Sequence, residues 1–128
     1  MSDLLVALRS SGRALGLITN GETEFQSRHI QALGLRELMD VILISEAEGL
    51  RKPDPALFLR AAGRLNVAPA HCLFVGDSPV ADILGAGAAG MRTAWFPNGQ
   101  SWPGEVAGSP GAVIRELPDV LNLIGEPD

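Results

Sequence analysis

At 128 residues, 46% hydrophobic and 20% charged, the chain has the size and composition of one globular unit with a single core. Its formal charge of −5 and pI near 4.9 argue against nucleic acid or anionic membrane as a partner, because nothing here would displace counterions from phosphates. No apolar run approaches the roughly 20 residues that cross a bilayer, the amino end lacks the basic start of a signal peptide, and the single cysteine, Cys72, rules out an internal disulfide, so a cytoplasmic location is expected.

Residues 2–11 carry Leu4, Leu5 and Leu8 at helical spacing, with Gly12 as a stop, and predict an amphipathic helix. The run 14–19 is apolar without alternation, as in a parallel strand buried on both faces, and Asn20-Gly21 breaks it. Thr19 is thereby placed at a strand's carboxyl end. Thr23 and Gln26 have the spacing of a capping box, and the helix they open would turn Phe25, Ile30 and Leu33 inward before Gly34. A third apolar run, 41–45, is followed by the polar loop 46–52 and then by Pro53-Asp54-Pro55. There Asp54 can N-cap and Pro55 can take the first position of a helix reaching about Leu65.

The stretch 73–86 is the most informative. A fourth strand, 71–75, stops on Gly76, so Asp77 stands at its carboxyl end, where ligand sites of open α/β sheets gather. Pro79 opens a helix, which lets Asp82 turn back over Asp77 near the positive helix N-terminus. Two hard oxygen ligands on one loop suit Mg²⁺; a turn aspartate followed by a surface-helix aspartate is the plainer alternative. That helix should end near Gly90 in a left-handed cap, and 93–96 form a fifth strand candidate. Residues 97–111, rich in proline and glycine, read as a long loop, with Trp102 either on a lid bordering the site or on a plain surface loop. A short strand at 112–114, a helical turn from Pro118 through Leu123 and a frayed end at 126–128 complete the reading. The alternation predicts an α/β fold with a parallel, doubly wound sheet and right-handed crossovers.

Thr19-Asn20-Gly21, Lys52-Pro53 and Gly76-Asp77 with Asp82 all fall at one edge of that sheet. Separately each has a bland reading: a strand-end hydroxyl satisfying backbone groups, a solvated lysine, a turn aspartate. Together they suit a phosphate site with a metal. A hydroxyl and the N–H groups of a glycine turn can hold phosphoryl oxygens, a lysine can neutralise them, and carboxylates can hold a bridging Mg²⁺.

The order and wording of these segments resemble the haloacid dehalogenase-like hydrolase superfamily. Ile18-Thr19-Asn20-Gly21 is similar to the family's second motif, Arg51-Lys52-Pro53-Asp54-Pro55 to its third, and Val75-Gly76-Asp77-Ser78-Pro79-Val80-Ala81-Asp82 to its fourth, within a match over about 2–96. The resemblance implies a Rossmann-like, three-layer α/β/α core and a Mg²⁺-dependent phosphatase that works through an aspartyl-phosphate on a small phosphorylated metabolite. It also implies that Thr19, Asn20, Gly21 and Lys52 bind phosphate, that Lys52 steadies the nucleophile, and that Asp77 coordinates Mg²⁺ directly and Asp82 directly or through water.

The family's first motif, Asp-x-Asp, supplies the nucleophile and further Mg²⁺ contacts and has no counterpart among Asp3, Asp40, Asp54, Asp77, Asp82, Asp119 and Asp128. Residues 1–128 thus read as a partial core domain, inactive alone and with weak or absent Mg²⁺ binding. A segment bearing the nucleophile and a substrate cap is expected to precede Ser2. In the resembling fold the first-motif strand lies between the strands ending at Thr19 and at Asp77. Without it those strands should close up directly, leave open edges, or borrow a strand from another chain, forming a homo-oligomer through the 14–19 or 72–75 edge. Two other readings are a non-catalytic binding or assembly module that kept the fold, and a receiver-like phosphoacceptor domain with Asp77 as the acceptor. The missing acidic pair near an amino-terminal strand argues against the latter.

Overall fold

The computed structural model describes residues 2–124, and the frayed end expected at 126–128 lies outside them. Helix α1 (Ser2–Ser10) leads to β1 (Gly16–Thr19), α2 (Thr23–Ala32) and β2 (Val41–Ile44); a single turn, α3 (Ser45–Glu48), precedes α4 (Pro55–Leu65). Strand β3 (Leu73–Gly76) runs through a wide helical turn, Pro79–Leu84, into α5 (Gly85–Ala88) and β4 (Arg92–Trp95). After a long loop, β5 (Ala112–Val113) and α6 (Val120–Ile124) follow. Local chemistry explains the sharpest boundaries. Asp54 accepts the Ala56 N–H at 2.9 Å with Pro55 in the first turn of α4, and Gly90, at φ +88°, turns the chain out of α5 towards β4.

Every strand pairing is parallel, yet the strands form two sheets, β1–β2 and β3–β4–β5. Among the described residues β1 and β3 each pair on one side only, so within one chain the two strands do not close up directly. The two pieces are joined through one face. Ile18, Val41 and Leu43 from the first sheet share a core with Leu57, Phe58 and Ala61 of α4 and with Ala86 of α5, and Phe74 of the second sheet packs against it. Strand period two turns the intervening residues the other way. Leu17, Ile42 and Ile44 meet Leu5, Ile30 and Leu35, while Leu73, Val75 and Ala94 meet Ile114 and Val120. The result is a three-layer α/β/α arrangement, with α4 on the first sheet, α5 on the second and the two helices in contact.

Burial differs between strands and does not follow edge position alone, since β2, also paired on one side only, buries three of its four residues. β4, paired on both sides, buries Thr93, Ala94 and Trp95, whereas β3 is half-buried along its whole length and β1 buries Ile18 alone. The expectation of a strand at 14–19 buried on both faces is therefore met at one residue. Helix α2 also differs from its sequence reading. Phe25 and Leu33 are 66% and 50% exposed, and Ile30 carries the contact by itself, since α2 has only a two-stranded sheet to cover. The capping box does not form: Thr23 is the first helical residue, its N–H is taken by Glu46 Oε1 at 3.0 Å, and Gln26 Nε2 turns to the Asn20 carbonyl at 3.3 Å. Among the described residues no helix is long and apolar enough to cross a membrane.

Candidate active site

The carboxyl end of β1 meets that of β2 because their register pairs Thr19 with Ile44, which puts the Asn20-Gly21 turn beside Ser45. Gly21 donates its N–H to Ser45 Oγ at 2.9 Å, and its carbonyl accepts the Glu46 N–H at 3.3 Å. Gly21 thus shapes the turn while its own amide is committed within the protein. What the turn offers outward is the Thr19 hydroxyl, whose one contact, to the Asn20 carbonyl, is a long 3.5 Å. Ser45 and Glu46 were not singled out from the sequence; their signal was two polar residues directly after an apolar strand.

Asn20 faces the other way and grips the loop before α4. Its Oδ1 accepts the Lys52 N–H at 2.9 Å and its Nδ2 donates to the Lys52 carbonyl at 3.2 Å. Lys52 in turn reaches the second sheet, placing Nζ 2.6 Å from Asp82 Oδ1, with 14% and 7% of the two side chains exposed. The other oxygen, Asp82 Oδ2, accepts the N–H groups of Asp77 at 3.2 Å and Ser78 at 3.1 Å. One carboxylate therefore fastens the lysine loop to the acidic loop.

Two local features allow this. The Ser78 carbonyl accepts both the Asp82 and Ile83 N–H groups at 3.1 Å, widening the turn so that Asp82 folds back over the strand end. Gly76 leaves the space: a Cβ there would lie 2.5 Å from the Asp82 side chain. Asp77 itself is exposed, its carboxylate has no hydrogen bond or ion pair with any described residue, and its carbonyl accepts the Trp95 indole N–H at 2.9 Å.

Of the residues expected at the site, Asn20, Lys52, Asp77 and Asp82 are thus linked in one network, and Thr19 and Gly21 lie on the turn that Asn20 anchors. An open cleft of about 500 Å³ adjoins that turn, bordered by Gly21, Ser45, Glu46 and Arg51. Among the described residues no three His, Cys, Asp or Glu side chains gather as a metal cage. The donor chemistry still fits a hydrated hard cation at Asp77, because Mg²⁺ keeps several waters and needs only one or two carboxylates beside phosphate oxygens. Asp82 is already engaged at both oxygens, Oδ1 by Lys52 and Oδ2 by two backbone N–H groups.

Parallel strands between helical layers, with polar groups gathered at their carboxyl ends, define the Rossmann-like class of α/β protein. Within that class the chain belongs to the haloacid dehalogenase-like (HAD) hydrolases, whose family model matches residues 1–90. A glyceraldehyde 3-phosphate phosphatase of Pyrococcus furiosus is 35% identical over 122 residues, covering 94% of this chain and 51% of that protein. A phosphoserine phosphatase of Thermus thermophilus is 37% identical over 117 residues, covering 91% and 47%. Among solved structures, a HAD phosphatase of Thermococcus onnurineus matches with a TM-score of 0.88 at 29% identity, over 98% of this chain and 57% of that one. A 2-haloacid dehalogenase of Pseudomonas syringae matches at 0.79 with 36% identity, over 94% and 49%. The chain spans about half the length of the curated relatives it matches.

Proposed function

We propose that the chain carries the phosphate-binding side of a Mg²⁺-dependent phosphomonoesterase acting on a small phosphorylated metabolite in the cytoplasm. The observation that supports this most is the Lys52–Asp82 junction, a cation and a carboxylate largely withdrawn from water at the strand ends. Their desolvation is costly, and packing alone gives no reason to incur it. In this reading Thr19 Oγ1 donates to a phosphoryl oxygen, Lys52 Nζ turns from Asp82 to neutralise the others, and Asn20 holds the Lys52 backbone in place. Asp77 would hold the hydrated cation. Mg²⁺, when bound, supplies charge stabilisation at the phosphoryl oxygens.

The attacking aspartate of an aspartyl-phosphate route is not among these 128 residues, which contain no Asp-x-Asp. The chain by itself is therefore expected to bind phosphate weakly and to turn over nothing. The relatives are named for different substrates, so the proposal stops at a phosphomonoester. The test is a titration with inorganic phosphate in Mg²⁺, followed by amide shifts. Shifts should appear at Thr19, Lys52 and Asp77 and vanish in Lys52→Ala; their absence in the wild type would remove the phosphate site. Mg²⁺-dependent hydrolysis of a generic phosphomonoester by the pure chain, lost in Asp77→Asn, would refute its inactivity.

The engagement of both Asp82 oxygens favours one alternative, a non-catalytic binding or assembly module in which the ion pair is purely structural. That reading requires Thr19→Ala to change nothing measurable. The receiver-like phosphoacceptor draws no support from the family match.

A further inference from the structure

We infer that Trp95 is the positioning residue for Asp77 and that Trp102 braces Trp95; this rests on the reading of Asp77 as the cation ligand. The register of β3 and β4 sets Trp95 beside Gly76, and the indole, 4% exposed, donates its N–H to the Asp77 carbonyl at 2.9 Å. The Asp77 N–H is held from the other side by Asp82 Oδ2. The main chain of Asp77 is thus fixed at both its polar groups while its carboxylate has no partner among the described residues. A residue pinned in this way has its Cα–Cβ bond aimed in one direction, so only its side-chain torsions remain to be set when it takes a ligand with few protein contacts.

The brace comes from the long loop. Trp102 meets Trp95 edge to face, with ring centroids 5.0 Å apart and planes at 88°. Its own indole N–H donates to the Val106 carbonyl at 3.4 Å, and at the far end of the loop the Gly111 N–H donates to Thr93 Oγ1 at 2.8 Å. The loop is thus tied to β4 at two points, Trp102 on Trp95 and Gly111 on Thr93.

The experiment titrates Mn²⁺ into the isotopically labelled 128-residue chain and follows amide broadening at Asp77 and Ser78. Both tryptophans of the sequence belong to the stack, so intrinsic fluorescence reports on it directly. Trp95→Phe keeps a ring and removes the donor, and should weaken Mn²⁺ binding about 10-fold while the chain stays folded by circular dichroism. Trp102→Ala should weaken it in the same direction. Glu48→Gln, which loosens the α3–α4 junction without touching the acidic turn or its loop, should leave it unchanged. If Asp77→Asn binds Mn²⁺ as the wild type does, the ligand reading fails and the positioning role with it. If Asp77→Asn abolishes the broadening but folded Trp95→Phe binds as tightly as wild type, the positioning role alone is overturned. An equal loss in Glu48→Gln overturns it too, by making the effect one of general stability. Should Trp95→Phe not fold, unchanged affinity in Trp102→Ala is the outcome that refutes the brace and the role it supports.

Discussion

Asn20 holds Lys52 by its main chain, accepting the N–H at 2.9 Å and donating to the carbonyl at 3.2 Å, although 32 positions separate the two residues. A single side-chain amide thereby ties the turn after β1 to the loop before α4. Replacing it with alanine removes both bonds and should cost about 2 kcal/mol. Asn20→Asp keeps the acceptor, loses the donor and should fall between. Urea denaturation orders the three proteins; equal stability of Asn20→Ala and wild type would mean the clamp is not formed in solution.

The Lys52–Asp82 pair should behave as a buried one. Lys52→Met strands the Asp82 carboxylate and Asp82→Asn strands the ammonium, and each is expected to cost about 3 kcal/mol. The double replacement should cost clearly less than the two singles together, since neither charge is then left alone. A double-mutant cycle measures that coupling. Additive losses would show that the two groups are not in contact.

Acid should loosen the junction of α3 and α4. The Glu48 carboxylate accepts from Arg60 at 3.0 Å and from Arg64 at 2.8 Å, and those bonds hold its pKa below the ordinary range. Asp40 is lowered in the same way, first by the Leu15 N–H and then by Arg9. With the folded values depressed, the unfolded chain binds more protons through the acid range, so stability rises with pH there. The contribution is complete above the ordinary carboxylate pKa of about 4 and disappears as pH falls through the lowered folded values. Glu48→Gln should therefore be less stable than wild type at neutral pH and should show a shallower acid decline. Parallel stability–pH curves for the two proteins would assign Glu48 no share.

What could be read from the sequence was what local chemistry dictates. Asp54-Pro55 announces the start of α4 because cap and first turn are contiguous, and Gly76 and Gly21 mark strand ends, which brings Thr19, Lys52 and Asp77 to one edge by topology alone. What could not be read depends on neighbours distant in the chain. Glu46 displaces the capping box by reaching Thr23 from another strand end. Phe25 stays exposed because the sheet beneath α2 is narrow. The partner of Asp82 is 30 positions away, and the direction of the Trp95 indole follows from β3–β4 register, which no pattern of hydrophobicity specifies.

The unpaired edges of β1 and β3 lead to the last prediction. A strand with one free edge presents unsatisfied N–H and C=O groups, and here the strands are short, apolar and without the edge lysines or prolines that discourage pairing. Helices α4 and α5 pack on one face of the sheets. The 128-residue chain is therefore expected to self-associate through β1 or β3. Sedimentation should show species larger than a monomer, increasing with concentration. A wild-type chain that sediments as a single monomeric species across that range and unfolds cooperatively would mean that the two edges are satisfied within one molecule.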